Sequence, residues 1–140
     1  MQFSKEQLIQ KANAVCKGNL METLSIEFVD ATENSIVAKM PVTPKVYQPD
    51  GVLHGGATAA LAESVGSAAV FVLNKNPKAI VRGIEISANH LKSVQSGYVH
   101  ATARPINLGK TIQLWEIKVE DDAQQLISMC KLTTYTRYKE

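Results

Sequence analysis

Apolar positions recur with a helical period near the N-terminus, where Leu8, Ala12 and Val15 share one side of a helix expected from Ser4 to Lys17. Ser4 can cap that helix, with Gln7 three residues on in a capping-box arrangement, and Gly18 stops it. From Thr23 to Val42 the period changes to two. Leu24, Ile26 and Phe28 alternate with polar partners, as do Ile36, Ala38 and Met40, and Asp30 to Asn34 reads as the turn between two strands. Pro41, Pro44 and Pro49 punctuate a loop that runs to about Leu53. The next run, Ala57 to Leu73, is almost entirely apolar or small. As a helix it spans about 25 Å and must be buried on nearly every side. After a polar break at Asn74 to Lys78 come four β-rich runs: Ile80 to Leu91, Tyr98 to Arg104, Thr111 to Glu120 and Leu126 to Arg137, the last three linked as in an antiparallel meander. The order predicts an α+β fold of one domain, residues 1–140, in which about six antiparallel strands wrap one long central helix at about 56–73.

Length and composition agree. A chain of 140 residues, 45% hydrophobic and 20% charged, is too apolar for intrinsic disorder and can bury a core without metal or disulfides. The net charge of +2 does not suggest a general nucleic-acid binder, but it is compatible with an anionic small molecule. Cys16 and Cys130 form no CxxC pair, and no Cys/His cluster has zinc spacing, so both are expected as reduced thiols. The N-terminus lacks the apolar stretch of a signal peptide. The run from Gly55 to Leu73 carries Glu63 and many small residues, so no membrane span is expected. The expected location is cytoplasmic.

The chemistry concentrates around the central helix. Glu63 is the one charged residue between Asp50 and Lys75, in the middle of a helix expected to be buried. An unpaired buried carboxylate costs several kcal/mol, so Glu63 is paired with a neighbouring chain, exposed at an interface or cleft, or functional as base or nucleophile. His54-Gly55-Gly56 stands at the junction of loop and helix. Free N–H groups and a small glycine there make either a plain turn and cap or an oxyanion hole for a carbonyl substrate. Gly55 and Glu63 are separated by eight residues, about 12 Å along a helix, so one small carbonyl cannot touch both in one chain. If both act on one substrate, the site is composite and the protein an obligate dimer. Ser67 follows Glu63 by one turn, and Gln48 could orient water or a carbonyl; each is equally readable as a packing or surface residue. Arg82, His90, Lys92, Arg104 and Lys110 are separately ordinary surface charges, though together they would suit phosphates. Leu108-Gly109-Lys110-Thr111 lacks the context of a P-loop and reads as a hairpin turn, while His100 and Trp115 belong to strand faces.

The run Gln48 to Gly56, followed by Leu61-Ala62-Glu63-Ser64 and Gly66-Ser67, resembles the hotdog-fold acyl-CoA thioesterases. The branch resembled contains the Arthrobacter-type 4-hydroxybenzoyl-CoA, phenylacetate-pathway, enterobactin-proofreading and 1,4-dihydroxy-2-naphthoyl-CoA thioesterases. Gly83-Ile84-Glu85-Ile86, Ala88-Asn89-His90, Leu108-Gly109 and Leu132-Thr133-Thr134 extend the likeness over essentially the whole chain. The resemblance implies hydrolysis of acyl-CoA thioesters with aromatic or medium acyl groups. It implies that the Gly55 amide polarises the carbonyl and that Glu63 attacks it or activates water. Gln48 and His54 would contact the thioester region, with Ser67, and Ser64 nearby, supplying a hydroxyl. It further implies that CoA lies over Arg82 and Gly83, over His90, Lys92 and Ser93, and over Asn107, Gly109, Lys110 and Thr111. Lys92 stands where close relatives carry Arg, which keeps the charge but loses the bidentate fork. No cofactor is expected, since CoA is part of the substrate. Expected partners are a second copy of the chain, in a dimer of dimers as in relatives, and an acyl or aryl carrier protein received by a basic rim including Lys92 and Lys110. Two alternatives remain at this point: a hotdog hydratase or dehydratase, and a non-catalytic acyl-CoA binding module.

Overall fold

The computed structural model describes residues 3–140. Helix α1 (Lys5–Ala14) begins with the expected capping box: the Ser4 hydroxyl accepts from the Gln7 amide at 3.2 Å, and the Gln7 side chain accepts from the Ser4 amide at 2.8 Å. Its apolar face buries Leu8 and Ala12. Asn13 fastens α1 to the first strand, donating to the Phe28 carbonyl at 3.0 Å and accepting from the Phe28 amide at 2.8 Å. Lys5 pairs with Asp30 at 2.7 Å, and its hydrogen bond holds the Asp30 carboxyl below the usual carboxylate range.

The region from Thr23 is strand only from residue 27 onward. A short helix, α2 (Leu20–Thr23), intervenes, because Asn19 caps it by accepting from the Met21 amide at 3.1 Å. Strands β1 (Glu27–Ala31) and β2 (Ile36–Pro41) follow as a hairpin, and a short 3₁₀ turn at Pro44–Val46 leads to α3 (Gly55–Leu73). Then come β3 (Ala79–His90), β4 (Tyr98–Leu108), β5 (Ile112–Glu120) and β6 (Leu126–Tyr138). All strand pairings are antiparallel, in the order β1-β2-β4-β5-β6-β3. The β4-β5-β6 meander is as expected, with Leu108 and Ile112 bounding the turn read from Gly109-Lys110. β3 instead crosses to the far side and pairs with β6, which leaves its other side as a sheet edge.

The sheet buries one face on α3. Met40, Val99, Ala101, Ile117, Val119 and Leu132 are inaccessible, as are Leu61, Ala62, Val65 and Ala69 of the helix. Gly66 lets the helix sit close: a Cβ there would fall 2.5 Å from Leu132 Cδ2. The expectation that α3 is enclosed on nearly every side needs correction. Ala60, Glu63, Ser64, Ser67 and Phe71 form a stripe open to a cleft, because neither the sheet nor α1 covers that side. α3 has the length and hydropathy to cross a bilayer, but half of its apolar window packs inside the fold. Both cysteines are buried and free, and burial pushes both thiols up, so neither is a ready thiolate nucleophile.

Because Leu132 fills the gap above Gly66 and beside Gly83, we expect Leu132→Ala to cost about 2–5 kcal/mol. Urea denaturation should register this as a lower midpoint with little change in slope. A midpoint equal to wild type would contradict the packing described.

Candidate active site

The loop before α3 is held at both ends. The Gln48 amide donates to the Val52 carbonyl at 2.8 Å, and the Gly51 amide donates to the Gln48 carbonyl at 3.0 Å. Gly51 takes φ +82°, the left-handed conformation the turn requires. Leu53 donates to Val94 and His54 donates to Val46, each at 2.8 Å, so the start of α3 is fixed against the segment after β3. His54 is the N-cap of α3, with its Nδ1 accepting from the Gly56 amide at 2.7 Å. With Nδ1 accepting that bond, Nε2 is the ring nitrogen left to act as a donor.

Gly55 opens the helix, and its amide is one of the donors that no helical carbonyl satisfies. The His90 imidazole lies directly over it: a Cβ on Gly55 would fall 2.7 Å from His90 Nε2. His90 Nδ1 shares a 3.0 Å hydrogen bond with the buried Ser128 hydroxyl. Gln48, Gly55, Thr58, His90, Lys92 and Ser93 line one cavity of about 400 Å³ at this end of the helix. These groups can polarise a carbonyl and carry donors beside it.

The carboxylate lies elsewhere. Glu63, Ser64, Ser67 and Arg82 line a second, larger cleft of about 780 Å³, with Phe71 at one wall. Glu63 is half-buried and faces this cleft instead of being enclosed as the apolar run implied. Its carboxylate rests on Gly83 of β3, where a Cβ would fall 2.6 Å from Oε2. A glycine inside a strand often marks such a close approach. The register of β3 slips between Gly83 and Glu85, a bulge beside the carboxylate. Ser64 spends its hydroxyl on the Ala60 carbonyl at 2.6 Å, so Ser67, one turn beyond Glu63, is the hydroxyl on the cleft with no partner among the described residues. The other wall comes from the turn after α1 and the start of α2, through Val15, Asn19, Leu20 and Met21.

Within one chain, then, the fold gathers the sequence-selected residues into two separate groups. Gln48, Gly55, His90, Lys92 and Ser93 are in one, with His54 at its helix start. Glu63, Ser64, Ser67, Arg82 and Gly83 are in the other. Asn107, Gly109, Lys110 and Thr111 join neither. They occupy the β4–β5 turn at the end of the sheet where α3 finishes, while His90 to Ser93 lie at the end where it starts. The ends are roughly 35 Å apart along an eleven-residue strand. The Val15 to Met21 wall and the Ser128 anchor under His90 carried no sequence signal. Among the described residues, no three His, Cys, Asp or Glu side chains group as a metal site.

A six-stranded antiparallel sheet around one helix, with a carboxylate on that helix and a glycine amide at its start, is the architecture of a known enzyme class. Residues 50–128 match the Thioesterase superfamily model, and the chain belongs to that superfamily and has the hotdog fold. It is 43% identical over 123 residues to a 1,4-dihydroxy-2-naphthoyl-CoA hydrolase of Listeria monocytogenes, covering 86% of this chain and 97% of that one. It is 37% identical over 134 residues to a proofreading thioesterase of Cronobacter turicensis, covering 96% and 97%. A solved thioesterase structure from Haemophilus influenzae superposes with a TM-score of 0.88 at 39% identity, covering 99% of this chain and 93% of that one. The protein is therefore a thioester hydrolase.

Gly83→Ala adds one methyl where the Glu63 carboxylate now rests. We expect turnover of the best CoA ester to fall about 10- to 100-fold, since small misplacements of reacting groups cost that much. Thiol release and a thermal melt on the same sample would check this. Unchanged turnover would mean that the carboxylate does not need its seat on β3.

Proposed function

We propose that the chain hydrolyses acyl- or aroyl-CoA thioesters at a site completed by a second copy of itself. The reading is carried by the separation of the two half-sites on one rigid helix. The Gly55 amide and the Glu63 carboxylate stand eight residues apart, about 12 Å. A thioester carbonyl held at Gly55 of one subunit therefore needs the carboxylate of another. β3 offers the means: it is a twelve-residue edge strand, and Ile84 on it is 57% exposed. Antiparallel pairing of two such edges about a two-fold axis would extend the sheet and bring the partner subunit's Gly55 towards this chain's Glu63. Two dimers would then pair to form the tetramer expected from the resemblance.

In this mechanism the Gly55 amide donates to the thioester oxygen and stabilises the negative charge that develops there. His54, through Nε2–H, and Gln48 hold the thioester region and the water. Glu63 either takes a proton from that water as it attacks, or attacks the carbonyl carbon itself to give an anhydride that water opens. In both routes the C–S bond breaks, the thiolate leaves as CoA and takes up a proton, and the free acid is released. Ser67, with its hydroxyl facing the cleft, steadies the carboxylate or the water, and Ser64 packs beside it. The large apolar-walled cleft beyond Glu63 suits an aromatic or medium-length acyl group. Arg82 and Gly83, His90, Lys92 and Ser93, and Asn107, Gly109, Lys110 and Thr111 are proposed CoA contacts, drawn from different subunits because one chain separates them. CoA enters as substrate, no resident cofactor takes part, and the reaction belongs to the cytoplasm. A carrier-bound thioester is the second substrate form, received on the basic rim at Lys92 and Lys110. Titrating aromatic CoA esters (benzoyl, hydroxybenzoyl, hydroxynaphthoyl) and aliphatic esters of rising length, with thiol release as readout, tests the proposal. We expect Glu63→Gln to lose at least about 100-fold in kcat while keeping the fold and the affinity for CoA esters. Near-normal turnover by that variant would overturn the mechanism. Hydration of a crotonyl thioester without thiol release would favour the hydratase reading instead.

A further inference from the structure

The inward face of β6 carries two threonines, Thr134 and Thr136, whose hydroxyls are buried and have no hydrogen-bond partner among the described residues. An unpaired buried hydroxyl is unfavourable, so each calls for an explanation. Thr134 is directly opposite Gly83 in the β3–β6 ladder, before the bulge shifts the register. Directly opposed residues put their side chains on the same face of the sheet, with Cβ positions about 5 Å apart. Gly83 has no side chain, and the space it leaves is occupied by the Glu63 carboxylate. The neighbour of Thr134 across the β3–β6 ladder is thus the carboxylate of a residue on α3. On its other side Thr134 faces Gln113, whose amide is committed to the Gly109 carbonyl at 3.2 Å and to the Trp115 indole at 2.9 Å. Thr136 differs in one respect: it is opposite Val81, which fills its own place on the sheet.

We infer that Thr134 is a positioning residue for Glu63, its hydroxyl donating to the carboxylate when a thioester occupies the site. The inference rests on the reading of Glu63 as the reacting carboxylate. Catalytic hydrogen bonds often tighten only in the substrate complex, and this one closes when substrate confines the carboxylate in the notch over Gly83. Glu63 is then held by groups from two elements, Ser67 along its own helix and Thr134 from the sheet below. Thr136, opposite Val81, has no carboxylate in the place across the ladder and serves as the control.

The test compares Thr134→Val, Thr134→Ser, Thr136→Val and Glu63→Gln in steady-state thiol release on the best CoA ester, with a thermal melt of each. Val keeps the shape of Thr and removes the unpaired hydroxyl, so a purely structural Thr134 would give a variant at least as stable and fully active. We expect Thr134→Val to lose about 10- to 100-fold in kcat, the effect of one hydrogen bond to a charged group, with KM unchanged. Thr134→Ser should recover most of that loss, and Thr136→Val should match wild type. If Thr134→Val does not fold, Thr134→Ala against Thr134→Ser makes the same comparison. Wild-type kcat in Thr134→Val beside an inactive Glu63→Gln overturns the inference and leaves the proposed function standing. An equal loss in Thr134→Val and Thr136→Val also overturns it, as a packing effect. Full activity in Glu63→Gln removes the proposed function and this inference together.

Discussion

The close contact between α3 and the concave face of the sheet is the constraint on which the rest depends. It is possible because the helix presents Gly66 where a Cβ would collide with Leu132 and crowd Ile117, and buries the small residues Ala62 and Ala69 completely. Dispersion and burial act over the whole length of that contact, so the helix can neither slide nor rotate without losing both. Everything chemical in the protein is referred to this fixed rod. Its first free amide is at Gly55, its carboxylate is at Glu63, and the glycine that receives the carboxylate is on the strand beneath.

A rigid helix also keeps groups apart. The rise per residue sets the spacing between the amide end and the carboxylate, and no side-chain rotation closes it. The same fold that fixes both groups therefore keeps the Gly55 amide and the Glu63 carboxylate of one chain from meeting on one small carbonyl. The strand order compounds the effect, since β3 crosses to the far edge and carries Gly83 and His90 to two different stations along α3. That edge strand is twelve residues long and bulged beside Glu63.

The two halves are built differently. The amide end is rigid through hydrogen bonds: His54 caps the helix, Ser128 anchors His90, and backbone bonds tie the preceding loop to the segment after β3. The carboxylate end is shaped mostly by packing, with Phe71, Val81 and the turn between α1 and α2 around an open cleft. Fixed donors suit the carbonyl common to every thioester, and an open apolar cleft suits an acyl group that differs between substrates.

Much of this was legible in the sequence. Period-two runs, the capping box at Ser4 and Gln7, and the apolar block broken by one glutamate predict the elements, because local periodicity reports which face of each element is buried. The glycine–glutamate spacing alone sets those two groups about 12 Å apart, since helix geometry is independent of context, so they could share one small carbonyl only across two subunits. Other features needed the tertiary structure. The short helix at Leu20–Thr23, capped by Asn19, takes up the start of the region read as strand-like from Thr23, and the first strand begins only at Glu27. Nothing in the chain announces that β3 lies beside β6, that Gly83 seats Glu63, or that Thr134 stands next to that seat. The sequence by itself determined the elements, the buried faces and the groups able to do chemistry, because those follow from neighbours along the chain. Only the tertiary structure decided which groups meet, and that Glu63 faces a cleft, because cross-strand partners and uncovered surfaces are set by packing between segments distant in sequence.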